Sequence, residues 1–254
     1  MGNGLQDAID ELLAERDRSG LGGLRRIILE TSGLAEPAPI VRALTQTRQM
    51  EFRLRIISTL DCLNAPVADE LAPQYAAQLA AAQSIALTKL DVVDDSRRRE
   101  AEMVAASVNP FASLVTSQSA DERCRLVFED GEAASLPSSG LLFSAHRTGN
   151  EQVSIVLATW TGPVTWADVS EWLENVSGYC GERLLRAKGF VRVAGCDDMV
   201  LLNGVGTVFS PPRRIKMDAQ TAEGLVLILR DIDVAELREF SNASSENPPS
   251  LRSR

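Results

Sequence analysis

Residues 25–37, Arg-Arg-Ile-Ile-Leu-Glu-Thr-Ser-Gly-Leu-Ala-Glu-Pro, constrain the fold more than any other stretch. Three aliphatic residues run into Glu30, two hydroxyls and Gly33, and Pro37 then opens a helix. Proline suits a first helical turn, where the missing N–H costs little. In an open parallel sheet, ligands bind outside the carboxyl ends of the strands, so Glu30 is expected where a metal ion or a phosphate would be met. Gly33 has no Cβ, and its backbone N–H can come close to an anion. Taken alone, the same pattern describes a strand followed by a polar helix cap.

A second stretch adds the chemistry of a base. Residues 84–91, Ser-Ile-Ala-Leu-Thr-Lys-Leu-Asp, form another short apolar strand that ends in Thr88-Lys89-x-Asp91. In guanine-nucleotide hydrolases the matching loop is Asn-Lys-x-Asp. Its Asp accepts hydrogen bonds from the guanine N1–H and exocyclic amine, and the Lys stem lies over the ring. Adenine has no N1–H donor, and a polar site left unpaired discriminates by roughly 10⁴-fold. A carboxylate closing an apolar strand before a small flexible step also has the general form of the Walker-B element of P-loop nucleotide hydrolases. Neither motif is specific alone. Glu30 to Pro37, then a strand ending at Asp61, then Thr88 to Asp91, in that order, is specific.

On these residues the chain resembles the CobW-type GTPases, a P-loop class that includes zinc metallochaperones and cobalamin-synthesis proteins. Glu30 to Pro37 matches the family's E-[ST]-[ST]-G-x-A-[DE]-P, and Thr59-Leu60-Asp61-Cys62 loosely matches its V-D-A strand end. Gln78 to Asp91 matches the helix and base-reading loop, and Gly181 to Gly189 looks like the hallmark of the family's C-terminal domain. The resemblance covers residues from about 3 to about 240. It implies GTP as nucleotide, Mg²⁺ approached by Glu30 through a water, and Gly33 meeting the γ-phosphate through its amide. It further implies Asp91 reading guanine, Lys89 packing over it, and Thr88 weakening the contact that an Asn would make. Zinc is the implied cargo and a metalloprotein the implied client.

Two departures matter. No G-x-x-x-x-G-K-[ST], the loop whose amides and lysine cradle phosphates, occurs in the sequence. The family's Cys-x-Cys-Cys metal motif is also missing. The segment Gly2–Ile9 resembles the stretch just after that motif in relatives, so the chain is expected to begin immediately after it, through either a misplaced start at Met1 or a truly truncated product. Such a product would have feeble GTP affinity and little or no turnover. Three readings result: a GTP-dependent metal chaperone in incomplete form, a non-hydrolytic interaction module that keeps the C-terminal domain, and a non-functional fragment with an exposed sheet edge.

The formal charge of -9 argues against nucleic acid, because phosphate-binding surfaces need clustered Lys and Arg. No apolar run approaches the ~20 residues that span a bilayer, and no secretory signal opens the chain. Cys62, Cys124, Cys180 and Cys196 show no paired metal-ligand spacing and suit a reducing cytoplasm. The single histidine, His146, is expected in a linker.

Strand and helix alternate up to residue 116, which implies a parallel sheet with helices on both faces. The expected fold class is α/β: a partial P-loop GTPase sheet with flanking helices, followed by a small α+β C-terminal domain. The expected divisions are a GTPase domain over 1–120, a linker over 121–150 with a weak strand at Arg125 to Phe128, the C-terminal domain over 151–240, and a disordered tail over 241–254. Trp166, Val169, Trp172 and Leu173 are expected to face the core of that second domain. For Asn109-Pro110 a role as helix terminator suffices. For Gly181 to Gly189, a docking surface toward the nucleotide domain and a bulged strand edge both remain open.

Overall fold

The computed structural model describes residues 2–20, 22, 24–45, 53–66, 71–128, 146–148, 151–216 and 223–253. Helix α1 (Gly2–Arg18) and helix α2 (Pro37–Thr45) come first. Strand β1 (Ile57–Asp61), helix α3 (Pro73–Ala81), strand β2 (Ser84–Thr88), helix α4 (Asp95–Val108) and strand β3 (Ser113–Val115) then alternate. The strands form a parallel sheet in the order β1-β2-β3, with Asp61 opposite Thr88. Fully buried Leu60, Ile85 and Leu87 pack with Leu79, Ala101 and Ala105 from the helices. Asp94 caps α4 by accepting from the Arg97 N–H at 2.8 Å, the arrangement that fills one orphan donor of a helix start.

Three expectations about this part change. Residues 24–32 carry strand-forming side chains but make no ladder among the described residues, and Ile28 is 71% exposed. A strand exists only through backbone partners that satisfy its N–H and C=O groups, and this segment has no such ladder. Its Arg26 guanidinium instead lies 4.4 Å over the Phe128 ring centre. Residues Arg125 to Phe128 belong to helix α5 (Ala120–Phe128), not to a strand. Ser119 begins it, its Oγ accepting from the Glu122 N–H at 3.3 Å, and acids in the first turn favour a helix. The helix expected over 66–82 is shorter, and of that range residues 67–70 lie outside the described residues.

The second sheet is antiparallel. It contains β4 (His146–Thr148), β5 (Glu151–Thr159), β6 (Leu184–Val191), β7 (Met199–Val205), β8 (Val208–Phe209), β9 (Arg213–Ile215), β10 (Gly224–Arg230) and β11 (Ser250–Ser253). The main order is β11-β5-β10-β6-β7-β8. Helix α6 (Trp166–Cys180) and helix α7 (Val234–Ser244) cover one face. In β10, Leu225, Leu227 and Leu229 point to these helices, while Val226 and Ile228 point the other way. Burial on both faces explains its unbroken aliphatic run. A Cβ on Gly189 would stand 2.1 Å from the Gly224 carbonyl oxygen, so the β6–β10 approach requires glycine there.

Helix α6 starts at a reciprocal capping box between Thr165 and Asp168, a pair that satisfies two orphan donors. Trp172 is fully buried and donates its Nε1–H to Ser241 Oγ at 2.7 Å. Trp166, expected inside, is 40% exposed, because it is the first residue of the helix and lies before the inward stripe. The tail differs from expectation as well. Helix α7 runs to Ser244 and β11 pairs with β5, Leu251 being buried opposite Ala158. The 129–145 part of the expected linker lies outside the described residues.

The two sheets share a core. Val153, Leu185 and Ile228 of the second sheet pack with Leu79, Ala80 and Val104 of the first unit. Among Gly181 to Gly189, β6 is an interior strand between β10 and β7, and its Arg186 reaches across to α3. Docking is therefore what this stretch does, and it is no sheet edge.

Candidate functional site

The carboxyl ends of β1 and β2 meet at Asp61 and Thr88. Asp61 is the hub. Its Oδ1 accepts from the N–H groups of Leu63 (2.9 Å) and Asn64 (3.3 Å), and its Oδ2 from Asn64 Nδ2 (2.9 Å). Lys89 Nζ lies 3.1 Å from the same Oδ2. Burial acts to raise the Asp61 carboxyl, but the donors from Asn64, Lys89 and Leu63 outweigh it and hold it below the ordinary range. It is a carboxylate at neutral pH.

Lys89 sits at φ 58°, the left-handed region that a side chain enters at a cost of about 1 kcal/mol. The Asp61 ion pair and the Val92 N–H, which donates to the Lys89 carbonyl at 3.3 Å, hold it there. The Cys62 N–H donates to the Thr88 carbonyl at 3.2 Å and Thr88 Oγ1 donates to the Leu60 carbonyl at 3.4 Å, so the loop is stitched to β1. Buried Leu90 pins it from below. Asp91 is exposed, and its carboxylate has no hydrogen-bond partner among the described residues. Thr88, Lys89 and Asp91 thus share one preformed loop with one outward carboxylate. This geometry can accept two parallel N–H donors from a planar base.

Among the described residues Glu30 and Gly33 make no direct contact with that loop by hydrogen bond or ion pair. Glu30 is exposed, and no hydrogen bond or ion pair among the described residues joins it to Thr88, Lys89 or Asp91. Gly33 lies in a turn closed by the Ala35 N–H, which donates to the Ser32 carbonyl at 3.0 Å. Mg²⁺ needs near-octahedral oxygen ligands. Glu30 offers one carboxylate, and no group of three or more His, Cys, Asp or Glu among the described residues could hold a metal ion. These residues do not by themselves make a Mg²⁺ site.

Two residues do more than their sequence context suggested. Gln78 Nε2 donates to the carbonyls of Gly33 (3.0 Å) and Ala35 (2.9 Å). Buried Asn109 places Nδ2 within hydrogen-bond reach of the Leu79 (2.8 Å), Ala80 (2.9 Å) and Ala82 (2.9 Å) carbonyls. It is the cap of α3 as well as the stop of α4. The available signal was the end of α3 itself: Ala-Ala-Ala-Gln contains no glycine or basic residue to satisfy the last carbonyls.

Comparison with known proteins bears on the family and the fold. The family model for the CobW/HypB/UreG nucleotide-binding domain matches residues 2–116, and that for the cobalamin synthesis protein cobW C-terminal domain matches 153–243. The zinc chaperone YjiA of Escherichia coli (strain K12) is 25% identical over 214 residues, covering 82% of this chain and 66% of that protein. This chain thus spans slightly less than two thirds of that relative's length. The crystal structure of Zn(II)-bound YjiA GTPase superposes with a TM-score of 0.73 at 23% identity, covering 96% of this chain and 78% of that one. A Zn(II)-bound triple mutant of the same GTPase gives a TM-score of 0.74 at 24% identity with the same coverage. Two adjacent domain matches in the family's order, on a fold shared across both sheets, lead to one conclusion: the chain belongs to the CobW-type family of P-loop GTPases.

Proposed function

We propose that this chain is a GTP-binding protein that serves GTP-dependent delivery of a metal ion, zinc, to a client metalloprotein. The observation that carries the reading is the Thr88–Asp91 loop, preset by Asp61 and presenting an unpartnered carboxylate at the strand ends. In this role Asp91 accepts from the guanine N1–H and amine, and the Lys89 stem covers the ring. Thr88 forgoes the side-chain amide that an Asn would supply. Gly33 meets the terminal phosphate through its N–H. Glu30 is placed toward the metal side through a water, with the remaining ligands of Mg²⁺ coming from elsewhere. Zinc as cargo is taken from the description of the E. coli relative.

The GTPase part is taken as 1–120, and the C-terminal part as 151 onward to include α7 and β11, which extend past the expected limit at 240. A reducing cytoplasm fits the four free cysteines, and among the described residues no helix is long and apolar enough to cross a membrane. A second reading, a non-hydrolytic protein-binding module, is favoured by one observation: exposed Ile27, Ile28 and Leu29 on an unladdered segment.

Titration with a fluorescent GTP analogue, competed by unlabelled GTP and ATP, separates the two. The guanine reading expects GTP to displace the probe at concentrations where ATP does not. Equal competition by both, or no binding at all, favours the module.

A further inference from the structure

The turn that holds Gly33 is tied to the rest of the molecule by specific polar contacts. Gln78 grips it from α3, donating to the carbonyls of Gly33 and Ala35 on either side of Leu34. One residue further on, Glu36 Oε1 lies 3.2 Å from Arg230 Nη1 at the end of β10. Helix α2 comes directly after, and its Arg42 Nη2 donates to Thr207 Oγ1 at 3.3 Å in the β7–β8 turn. The contact is close, because a Cβ on Gly206 would stand 2.6 Å from the Ala38 Cβ.

Helix α3 is itself fixed from the second sheet. Locally its end is closed only by the Ala82 N–H, which donates to the Leu79 carbonyl at 3.3 Å, and Asn109 serves Leu79, Ala80 and Ala82. The Ala81 carbonyl accepts from Arg186 Nη1 at 3.0 Å. Arg186 is 1% exposed and makes no ion pair with a carboxylate among the described residues; its Nη2 donates to Asn203 Oδ1 at 2.8 Å in β7. A buried cation without a counter-ion is costly, and the negative end of a helix is the partner that offsets that cost here. Burial lowers this guanidinium only to about 10, so it stays charged at neutral pH. Gln78 immediately precedes the carbonyls that Asn109 and Arg186 hold, at positions 79 to 82.

We infer that Gln78 is the positioning residue that sets the Gly33 turn, and that Arg186, by gripping the end of α3, makes that setting depend on the C-terminal sheet. The path is short and continuous: β7 and β6 through Asn203 and Arg186 to α3, then through Gln78 to the turn. It runs in parallel with the Glu36–Arg230 link. A ligand that moves the Gly33 carbonyl must break or carry Gln78 with it, and the strain is delivered to the C-terminal sheet. What the turn senses rests on the GTP reading, whereas the grip itself does not.

The test is amide hydrogen exchange by NMR on the full chain without nucleotide, with the Ala35 N–H as reporter. Gln78→Glu keeps the size but replaces the donor by an acceptor facing two carbonyls, so Ala35 exchange rises by about tenfold or more while α3 amides stay as they were. Gln78→Lys restores a donor and brings Ala35 back to within about threefold of the wild type. Arg186→Met raises exchange at the end of α3 and also at Ala35, and Arg186→Lys does so less. Should Arg186→Met fail to fold, Asn203→Leu frees the Arg186 side chain and is expected to act in the same direction.

Unchanged Ala35 exchange in Gln78→Glu overturns the inference. So does a failure of Gln78→Lys to restore protection, or an Arg186 effect confined to α3 and β6. Competition between GTP and ATP for the fluorescent probe decides the nucleotide reading separately, since it can fail while the exchange pattern holds.

Discussion

Two segments of near-equal strand propensity meet different fates. Ser84 to Thr88 pairs on both sides, with β1 and β3, and buries Ile85 and Leu87 completely. Arg25 to Glu30 carries three consecutive aliphatic residues, pairs with nothing among the described residues, and exposes Ile27, Ile28 and Leu29. The first ends in a stitched base loop, the second in a turn held by Gln78 and Glu36. The difference teaches that strand propensity measures fit to a pleated, half-buried surface, not a backbone preference. The loop beyond a strand is only as ordered as the ladder beneath it. Among the described residues the base loop is stitched to its strand, whereas the segment leading to Gly33 joins no ladder.

The largest expected effect contrasts the two segments directly. Leu87→Ala removes a fully buried side chain and should destabilise by about 2–5 kcal/mol. Ile28→Ala, at a 71% exposed position, should stay within about 0.5 kcal/mol. Urea unfolding of both variants checks this, and a comparable loss in both would erase the distinction. Next comes Asn109→Ala, which strands the end of α3 and the Phe111 N–H, a donor to Asn109 Oδ1 at 3.1 Å. Unpaired buried groups cost about 1–3 kcal/mol in the same measurement.

The smallest effect concerns Lys89 and Asp61, a half-exposed pair worth roughly 0.2–1 kcal/mol. The Asp61 carboxyl is depressed on folding, so its contribution is fully present above the unfolded value near 3.8 and fades as pH falls through the lower folded value. The stability gap between wild type and Lys89→Met should therefore be constant from pH 7 to about pH 5 and close as acidity increases further. A gap that persists unchanged into strong acid would remove Asp61 as the hub of the base loop.

Much of this fold was legible because short-range signals agreed with the final packing. Ser84 to Thr88, the Asp94 cap of α4 and the Thr165 cap of α6 combine apolar runs with punctuation by caps. Failures arose where structure depends on a partner distant in sequence. The 24–30 strand needed a neighbour, β11 gains its order from β5, and Trp166 shares its apolar type with Trp172 but not its helical position. Ser119-x-x-Glu122 was a readable helix start, and it outweighed the strand-forming look of residues 125–128. At the site, residue types could identify Thr88, Lys89 and Asp91 as one loop. They could not show that Asp61 would hold Lys89, that Gln78 would grip the Gly33 turn, or that Arg186 would cap a helix 105 positions earlier in the chain.

One measurement bears most directly on a base loop stitched to its strand beside a Gly33 segment that joins no ladder among the described residues: the relative affinity of guanosine, GDP and GTP, each competing with one fluorescent probe. A site that reads mainly the base should bind all three within about tenfold, or 1.4 kcal/mol, with Asp91→Ala weakening them together and adenosine failing to compete. GTP binding a thousandfold or more tighter than guanosine, about 4 kcal/mol of phosphate recognition, would contradict it and show that the Gly33 side is assembled after all.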